Sequence, residues 1–376
     1  MTNATQPPQQ QQDDEPHFDI PTKCKAGVVV NEGPDFHVEI QDVDVPSPGP
    51  DDILIRLTHT GICHSDIHFM AHDWASPPMS TFNVRSPGHE GAGVVVQRGS
   101  SVSPQKWPLG ARAGIKPIHD TCGACHACWS GRDNYCAAAV LTGLRVTGTY
   151  QQYVLSPAKY ATPIPADVPP ELAAPVMCSA STMHRALVDS GLRAGEFVVF
   201  SGGGGGVGIN GVQFARIMGM RPIVVDTGAA KRALCLSMGA EAFVDFREEP
   251  DTPAAVKRLC DNVGAHGVVV TAPQAYKHAI AYLGDRTGGK VVCVALPPAD
   301  SVTIGADPNL IVFKNVHILG TLVGNQADAA AAMEYARRGL LKQICEVRPL
   351  RELPASVEQL RRGDVPGRIV IAFDME

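Results

Sequence analysis

The sequence predicts an α/β protein of two domains, a mostly antiparallel β unit and a doubly wound parallel sheet. Three observations predict it. The first is length, since 376 residues exceed the roughly 250–300 at which one hydrophobic core stops growing. The second is the rhythm of residues 23–155, where short apolar runs (AGVVV, ILIRLT, GAGVVVQ) are broken by Gly, Pro, Ser and Asp clusters. That is the mark of antiparallel strands joined by turns. The third is a change of rhythm near Val176. There FVVFS (197–201), PIVVD (222–226), AFVDF (242–246), GVVVT (267–271) and KVVCVA (290–295) alternate with helix-like stretches at 206–218, 229–238, 253–263 and 275–283. Continuous apolar strands separated by helices belong to a parallel sheet covered on both faces.

The domain organisation follows from these rhythms. Residues 1–22 open with MTNATQPPQQQQDDEP, which offers almost nothing to bury and reads as a disordered tail. Residues 23–176 form the first domain and 177–320 the second. The last stretch, 321–376, carries two helical segments (ADAAAAMEYARRG, SVEQLRRG) and a strand (GRIVIAF). It is too short to fold alone and is expected to return to the first domain.

Composition narrows the function. Hydrophobic residues at 44% and charged residues at 19% are ordinary for a globular chain, and a net charge of −6 provides no broad basic surface for nucleic acid. No apolar run approaches the roughly 20 residues of a membrane span. A polar, acidic opening is not a secretion signal, so the chain reads as cytoplasmic.

Between FVVFS and the next helical stretch lies Gly203-Gly204-Gly205-Gly206-Val207-Gly208. It satisfies Gly-x-Gly-x-x-Gly, through Gly203, Gly205 and Gly208, in the strand–turn–helix context the motif requires. Such glycines permit a tight turn and close approach of backbone to a pyrophosphate, whose charge the helix N-terminus stabilises. Asp226 closes the following strand, where an acid accepts hydrogen bonds from the adenosine ribose and repels a 2′-phosphate. The site therefore points to NAD. The bland alternatives are a Gly-rich turn without a ligand and a solvated acid at a strand end.

Eleven cysteines are present, and four cluster as Cys122-x-x-Cys125-x-x-Cys128-x7-Cys136. In a chain without a secretion signal this favours metal over disulfides. Four soft thiolates in one short loop suit a closed, tetrahedral, structural zinc site.

The motifs GICHSDIH (61–68), GHEGAGVVV (88–96), the four-cysteine loop, APVMCSAST (174–182) and SGGGGGVG (201–208) stand in the order seen in the zinc-containing medium-chain alcohol dehydrogenases. The chain resembles that family from about residue 24 to the C-terminus, and the yeast-type enzymes most closely. The resemblance implies a GroES-like catalytic domain beside a Rossmann domain, and two zinc ions per subunit. It implies Cys63, His89 and Cys178 as ligands of the catalytic zinc, which spacing alone does not give. Glu90 matches a nearby acid that can approach the metal, and Asp66 the carboxylate that orients the ligand histidine.

Ser65 and His68 match a proton relay. His64, Lys231 and Arg368 match cofactor contacts. The activity implied is reversible hydride transfer between a small alcohol and NAD, by a homodimer or homotetramer. Trp74 stands at one of two positions where tryptophans narrow the yeast-type pocket. Pro117 replaces the other, and Leu296 falls where that pattern often has Met, so a wider pocket is expected. A biosynthetic aldehyde or ketone reductase, and a non-enzymatic zinc-binding interaction protein, are the alternatives.

Overall fold

The computed structural model describes residues 15–342 and 344–375. Most of the expected tail thus lies outside the described residues. Its end needs correction, because residues 15–22 lie on the protein. Phe18 and Ile20 pack against a buried cluster of Cys24, Leu54, Val96 and Tyr153, and Arg98 donates to both oxygens of Glu15 at 2.7 Å. Two apolar side chains and one acid dock a stretch whose average composition is too polar to predict it.

Six parallel strands form one sheet in the order Ala242–Asp245, Arg221–Asp226, Phe197–Ser201, Gly267–Val270, Lys290–Cys293, His317–Gly320. The chain runs outward from the middle in both directions, the doubly wound arrangement with its switch point beside Phe197–Ser201. Period-two alternation shows why the runs are continuously apolar. Val198, Phe200, Val224, Val269 and Val292 enter one core, whereas Phe197, Val199, Ile223, Val225, Val268 and Val291 enter another on the opposite face.

The sixth strand is not legible as a run. It sits at the edge, His317, Ile318 and Gly320 are exposed, and only half of the usual burial selects its residues. The helix-like stretch at 275–283 is also broken in the structure, into the turns Pro273–Ala275, Tyr276–Ala279 and Ala281–Leu283.

The other half is built around the long strand Asp52–Gly61. It pairs antiparallel with Gly91–Arg98, with Tyr153–Pro157 and with Arg368–Ala372 from the far end of the chain. All five residues of Arg368–Ala372 are buried, so the C-terminal strand is part of this core. Ile53, Ile55, Leu57, Trp107, Ile369 and Ile371 fill it.

The chain passes from one half to the other through a π-helical turn, Val176–Ala180, and crosses back over residues 321–325. The expected return of all of 321–376 to the first domain is corrected: Ala332, Met333 and Ala336 of the helix Gln326–Arg337 share the cluster of Val198 and Phe200, and the first domain's core takes up the chain again only from Leu350. Gly324 lies directly against Ser181 of the first crossing: a Cβ there would stand 2.5 Å from that of Ser181. Val323 has φ of 34°, costly for a β-branched residue. The four-cysteine loop grips this crossing. Asn134 Nδ2 donates to Leu322 O at 2.6 Å, Tyr135 accepts from Leu322 N at 3.1 Å, and Asn325 donates to Gly131 O at 2.6 Å. Among the described residues no helix is long and apolar enough to cross a membrane.

Lys116 is buried beside this loop. Its Nζ donates to Tyr160 O and, at 3.0 Å, to Thr162 Oγ1. Burial pushes its pKa down to about 7, opposed by the Asp133 carboxylate. An unfolded lysine titrates near 10.4, so between about 7 and about 10.4 the unfolded chain binds more protons and this group makes stability rise with pH. Lys116→Met is therefore expected to flatten the rise of melting temperature across that window relative to the parent. Parallel profiles for the two proteins would contradict it.

Candidate active site and two candidate metal clusters

Strand register assembles the first cluster. Thr60 pairs with Gly91, which brings Cys63, just past one strand, against His89 and Glu90, just before the other. Cys178 arrives on the π-helical turn, a distortion common at functional sites. The ligand atoms of Cys63, His89, Glu90 and Cys178 all lie within 4.8 Å of one another, and all four residues are buried.

Asp66 stands behind the histidine. Its Oδ1 lies 2.7 Å from His89 Nδ1, which turns Nε2 toward the sulfurs. Its Oδ2 accepts from Cys63 N at 3.0 Å and from Tyr150 OH at 2.8 Å. Burial opposes charge on His89, but Asp66 and then Cys63 outweigh it and raise the imidazole to about 10. Between the two sulfurs, donation from Cys178 favours the thiolate at Cys63, aided by the Arg368 charge. Cys178 is correspondingly held protonated.

Glu90 does not point at the sulfurs alone. Arg368 donates to it from both Nε, at 3.1 Å to Oε2, and Nη2, to Oε1. Arg368 is 5% exposed and Glu90 0%. The arginine expected at the cofactor is thus also the partner of the acid beside the first cluster. It reaches the Gly-rich turn as well, since a Cβ on Gly206 would fall 2.7 Å from Arg368 Cδ. Gly61 is required for the same acid: a Cβ there would sit 2.0 Å from Glu90 Oε2.

Cys122, Cys125, Cys128 and Cys136 form the second cluster. The Sγ separations Cys122–Cys128, Cys125–Cys128 and Cys122–Cys136 are 3.9, 3.6 and 3.5 Å. A tetrahedron with Zn–S bonds of 2.3 Å has edges of about 3.8 Å, so the loop is spaced for zinc and far from the roughly 2.05 Å of a disulfide. Amides help: hydrogen bonding from Ala124 N, then from Cys136 and Cys125, lowers Cys122 to about 6. The first cluster, two sulfurs and one imidazole with a carboxylate behind it, has the three-ligand composition of a catalytic zinc site, and alcohol dehydrogenase is itself the standard example of that ligand set.

The helix His64–Ala71 follows Cys63 directly. His64 is exposed and Ser65 half-buried, whereas His68 is buried. His68 Nδ1 lies 2.7 Å from Asp73 Oδ1, and its ring stacks on Trp74 with centroids 4.9 Å apart. Trp74 also meets Phe69 edge-on at 5.5 Å, and its Nε1 is buried without a hydrogen-bond partner among the described residues. Pro117 is buried and Leu296 is 44% exposed. Ala299 N donates to Asp73 O at 2.9 Å, tying the segment after Leu296 to the wall that carries Trp74.

At the Gly-rich turn, Gly203 is buried and Gly208 packs so closely that a Cβ would stand 2.5 Å from Gly203 Cα. Gly205 caps the helix Gly206–Ile217, whose first turn includes Val207. Asp226 ends its strand with Oδ2 accepting from Gly204 N at 2.9 Å and Oδ1 from Thr227 N at 2.8 Å. Lys231 lies over Gly204 and 3.3 Å from Asp226 Oδ1. A carboxylate offers about four lone-pair sites, so Asp226 can hold the turn and still accept from hydroxyls.

A separate cleft of about 510 Å³, lined by residues including Thr58, His59, Arg112, Asp167 and Asp374, contains none of these groups. Its Arg112 donates to the carbonyls of Pro165, Ala166 and Val168 and serves as a tie. Sequence reasoning misses Tyr150, Gly61 and Asp73. Tyr150 is 84 positions from Asp66 and belongs to no motif, whereas Asp73 adjoins Trp74 and a search for partners of His68 reaches it.

Residues 49–166 match the family model described as alcohol dehydrogenase GroES-like domain, and residues 206–338 the one described as zinc-binding dehydrogenase. The alcohol dehydrogenase of Schizosaccharomyces pombe is 39% identical over 354 residues, spanning 94% of this chain and 98% of its own. Among solved structures, the acetophenone reductase of Geotrichum candidum in complex with NAD is 25% identical, with a TM-score of 0.80 over 95% of this chain and 100% of its own. A cinnamyl alcohol dehydrogenase from Sorghum bicolor is 26% identical, with a TM-score of 0.80 over 93% of this chain and 98% of its own. Identity at this level along nearly the whole length, on a fold that gathers the expected motifs, places the chain in the zinc-containing medium-chain alcohol dehydrogenases.

Proposed function

We propose that this chain interconverts a primary or secondary alcohol and its aldehyde or ketone with NAD, at the cluster of Cys63, His89 and Cys178. The observation that carries this reading is the buried set of two sulfurs and one imidazole with Asp66 behind the histidine. When bound there, a zinc ion would supply Lewis acidity at the alcohol oxygen, and a nicotinamide would supply the hydride acceptor. Cys122, Cys125, Cys128 and Cys136 would hold a second zinc, in a structural role.

The chain's own groups do the rest. Ser65 receives the hydroxyl proton, and His68 passes it outward. Because Asp73 engages Nδ1 of His68, Nε2 is the atom left to exchange that proton. Glu90 balances Arg368 beside the cluster, while His64 and Arg368 take the pyrophosphate charge over the Gly206–Ile217 helix. Asp226 favours NAD over NADP by its charge at the ribose, with Lys231 beside it.

The pocket is read as wider than one built for ethanol. Pro117 presents far less wall than an indole at its position, Leu296 lies toward solvent, and Trp74 is held on one side by His68 and Phe69. Two of the structural neighbours, an acetophenone reductase and a cinnamyl alcohol dehydrogenase, are named for aromatic substrates and support one of that size here.

Two outcomes test this reading. Zinc-loaded protein is expected to reduce NAD, in preference to NADP, with benzyl or cinnamyl alcohol at a higher kcat/KM than with ethanol, and to lose activity to a chelator. Equal or lower kcat/KM for the larger alcohols contradicts the wide pocket, and activity that survives complete zinc removal contradicts the mechanism. The chain is also read as a homo-oligomer built on a dimer. The edge strand His317–Gly320 leaves one side unpaired within the sheet, and Val312 and Phe313 beside it are 75% and 83% exposed. A second copy covers both features about a two-fold axis. Phe313→Glu is expected to lower the mass seen by light scattering toward that of the monomer; a monomeric parent would contradict the reading.

A further inference from the structure

The geometry points to Tyr150 as a positioning residue that acts through Asp66 on the metal ligand His89, by taking up part of the carboxylate's accepting capacity. This rests on the reading that Cys63, His89 and Cys178 hold zinc. Tyr150 is fully buried, as is Asp66, and its hydroxyl donates to Asp66 Oδ2 at 2.8 Å. The ring lies directly beneath the backbone just before the histidine: a Cβ on Gly88 would stand 2.4 Å from Tyr150 Cδ1. Such a seat is fixed by packing, so the hydroxyl has one position. It adjoins a second hydroxyl link, between Thr149 and Thr60 at 2.7 Å, which does not touch Asp66.

The two oxygens of Asp66 divide their work. Oδ2 takes Cys63 N and Tyr150 OH, and Oδ1 faces His89 Nδ1. Cys63 N, at the cap of His64–Ala71, already anchors the carboxylate, so the tyrosine adds little to its placement. What the tyrosine changes is charge. A donor on Oδ2 draws electron density from Oδ1 and weakens its electrostatic pull on the imidazole 2.7 Å away. A weaker pull makes His89 a poorer donor to a bound cation and leaves that cation more electrophilic. Tyr150 thereby exchanges tightness of metal binding for Lewis acidity.

Tyr150→Phe keeps the ring and removes one oxygen. In the variant, zinc release from this cluster to a competing chelator is expected to slow on the order of tenfold, the scale on which outer-shell partners act. In cobalt-substituted protein the visible d–d and thiolate charge-transfer bands are expected to move. In an Asp66→Asn background the same substitution is expected to change neither, because the route through the carboxylate is gone. Unchanged bands, release that is unchanged or faster, or equal effects in both backgrounds would overturn the inference alone. A parent protein that holds zinc in the four-cysteine loop and none at this cluster would overturn the functional reading, and the inference with it.

Discussion

One buried ion pair fixes the Cys63–His89–Cys178 cluster and the Gly-rich turn relative to each other. Glu90 precedes the strand Gly91–Arg98, Arg368 opens the C-terminal strand, and the guanidinium lies against Gly206 at the start of the cofactor helix. Two charges taken out of water cost several kcal/mol each, and only close mutual pairing offsets this. Glu90 and Arg368 therefore cannot drift apart without leaving an unpaired buried charge, and the close seat of the guanidinium against Gly206 sets the Gly-rich turn beside the pair. Backbone contacts reinforce the junction, with Gly367 N donating to Gly204 O at 3.0 Å. The pair adds a polar lock to the apolar cluster that the two halves already share, in which Ala92, Ile164 and Val168 meet residues of the parallel-sheet half. Gly61 is the local consequence, since the volume a side chain would need there is filled by Glu90.

The second tie is mechanical. Residues 321–325 carry the chain back across the domain boundary, and Val323 is bent into a conformation its branched side chain disfavours. Asn134 and Tyr135 hold that bend from the four-cysteine loop, and Gly324 presses on the crossing that carries Cys178. The four-cysteine loop thus has a structural task that its sequence motif does not announce. It braces the return crossing, and through it the turn that carries Cys178.

How much of this is legible in the sequence follows from how local each feature is. Five strands of the parallel sheet, the Gly-rich turn and the four-cysteine loop are contiguous patterns, and the chain writes them plainly. The sixth strand, His317–Gly320, is exposed at the sheet edge and carries no apolar run to mark it. Cys63, His89 and Cys178 are brought together by strand register and a π-helical turn, neither of which spacing encodes. Only resemblance reaches them. Tyr150, Asp73 and the pairing of Glu90 with Arg368 depend on side-chain packing between segments, which neither periodicity nor motif order contains. Composition misjudges residues 15–22 because Phe18 and Ile20 are outvoted by their polar neighbours.

The most direct measurement is anomalous X-ray scattering at the zinc edge from crystals of the purified protein. Two peaks per subunit are expected, one among the sulfurs of Cys122, Cys125, Cys128 and Cys136, the other bounded by Cys63, His89 and Cys178. A single peak at the four-cysteine loop, with the buried cluster empty in protein that oxidises alcohols, would contradict the central claim.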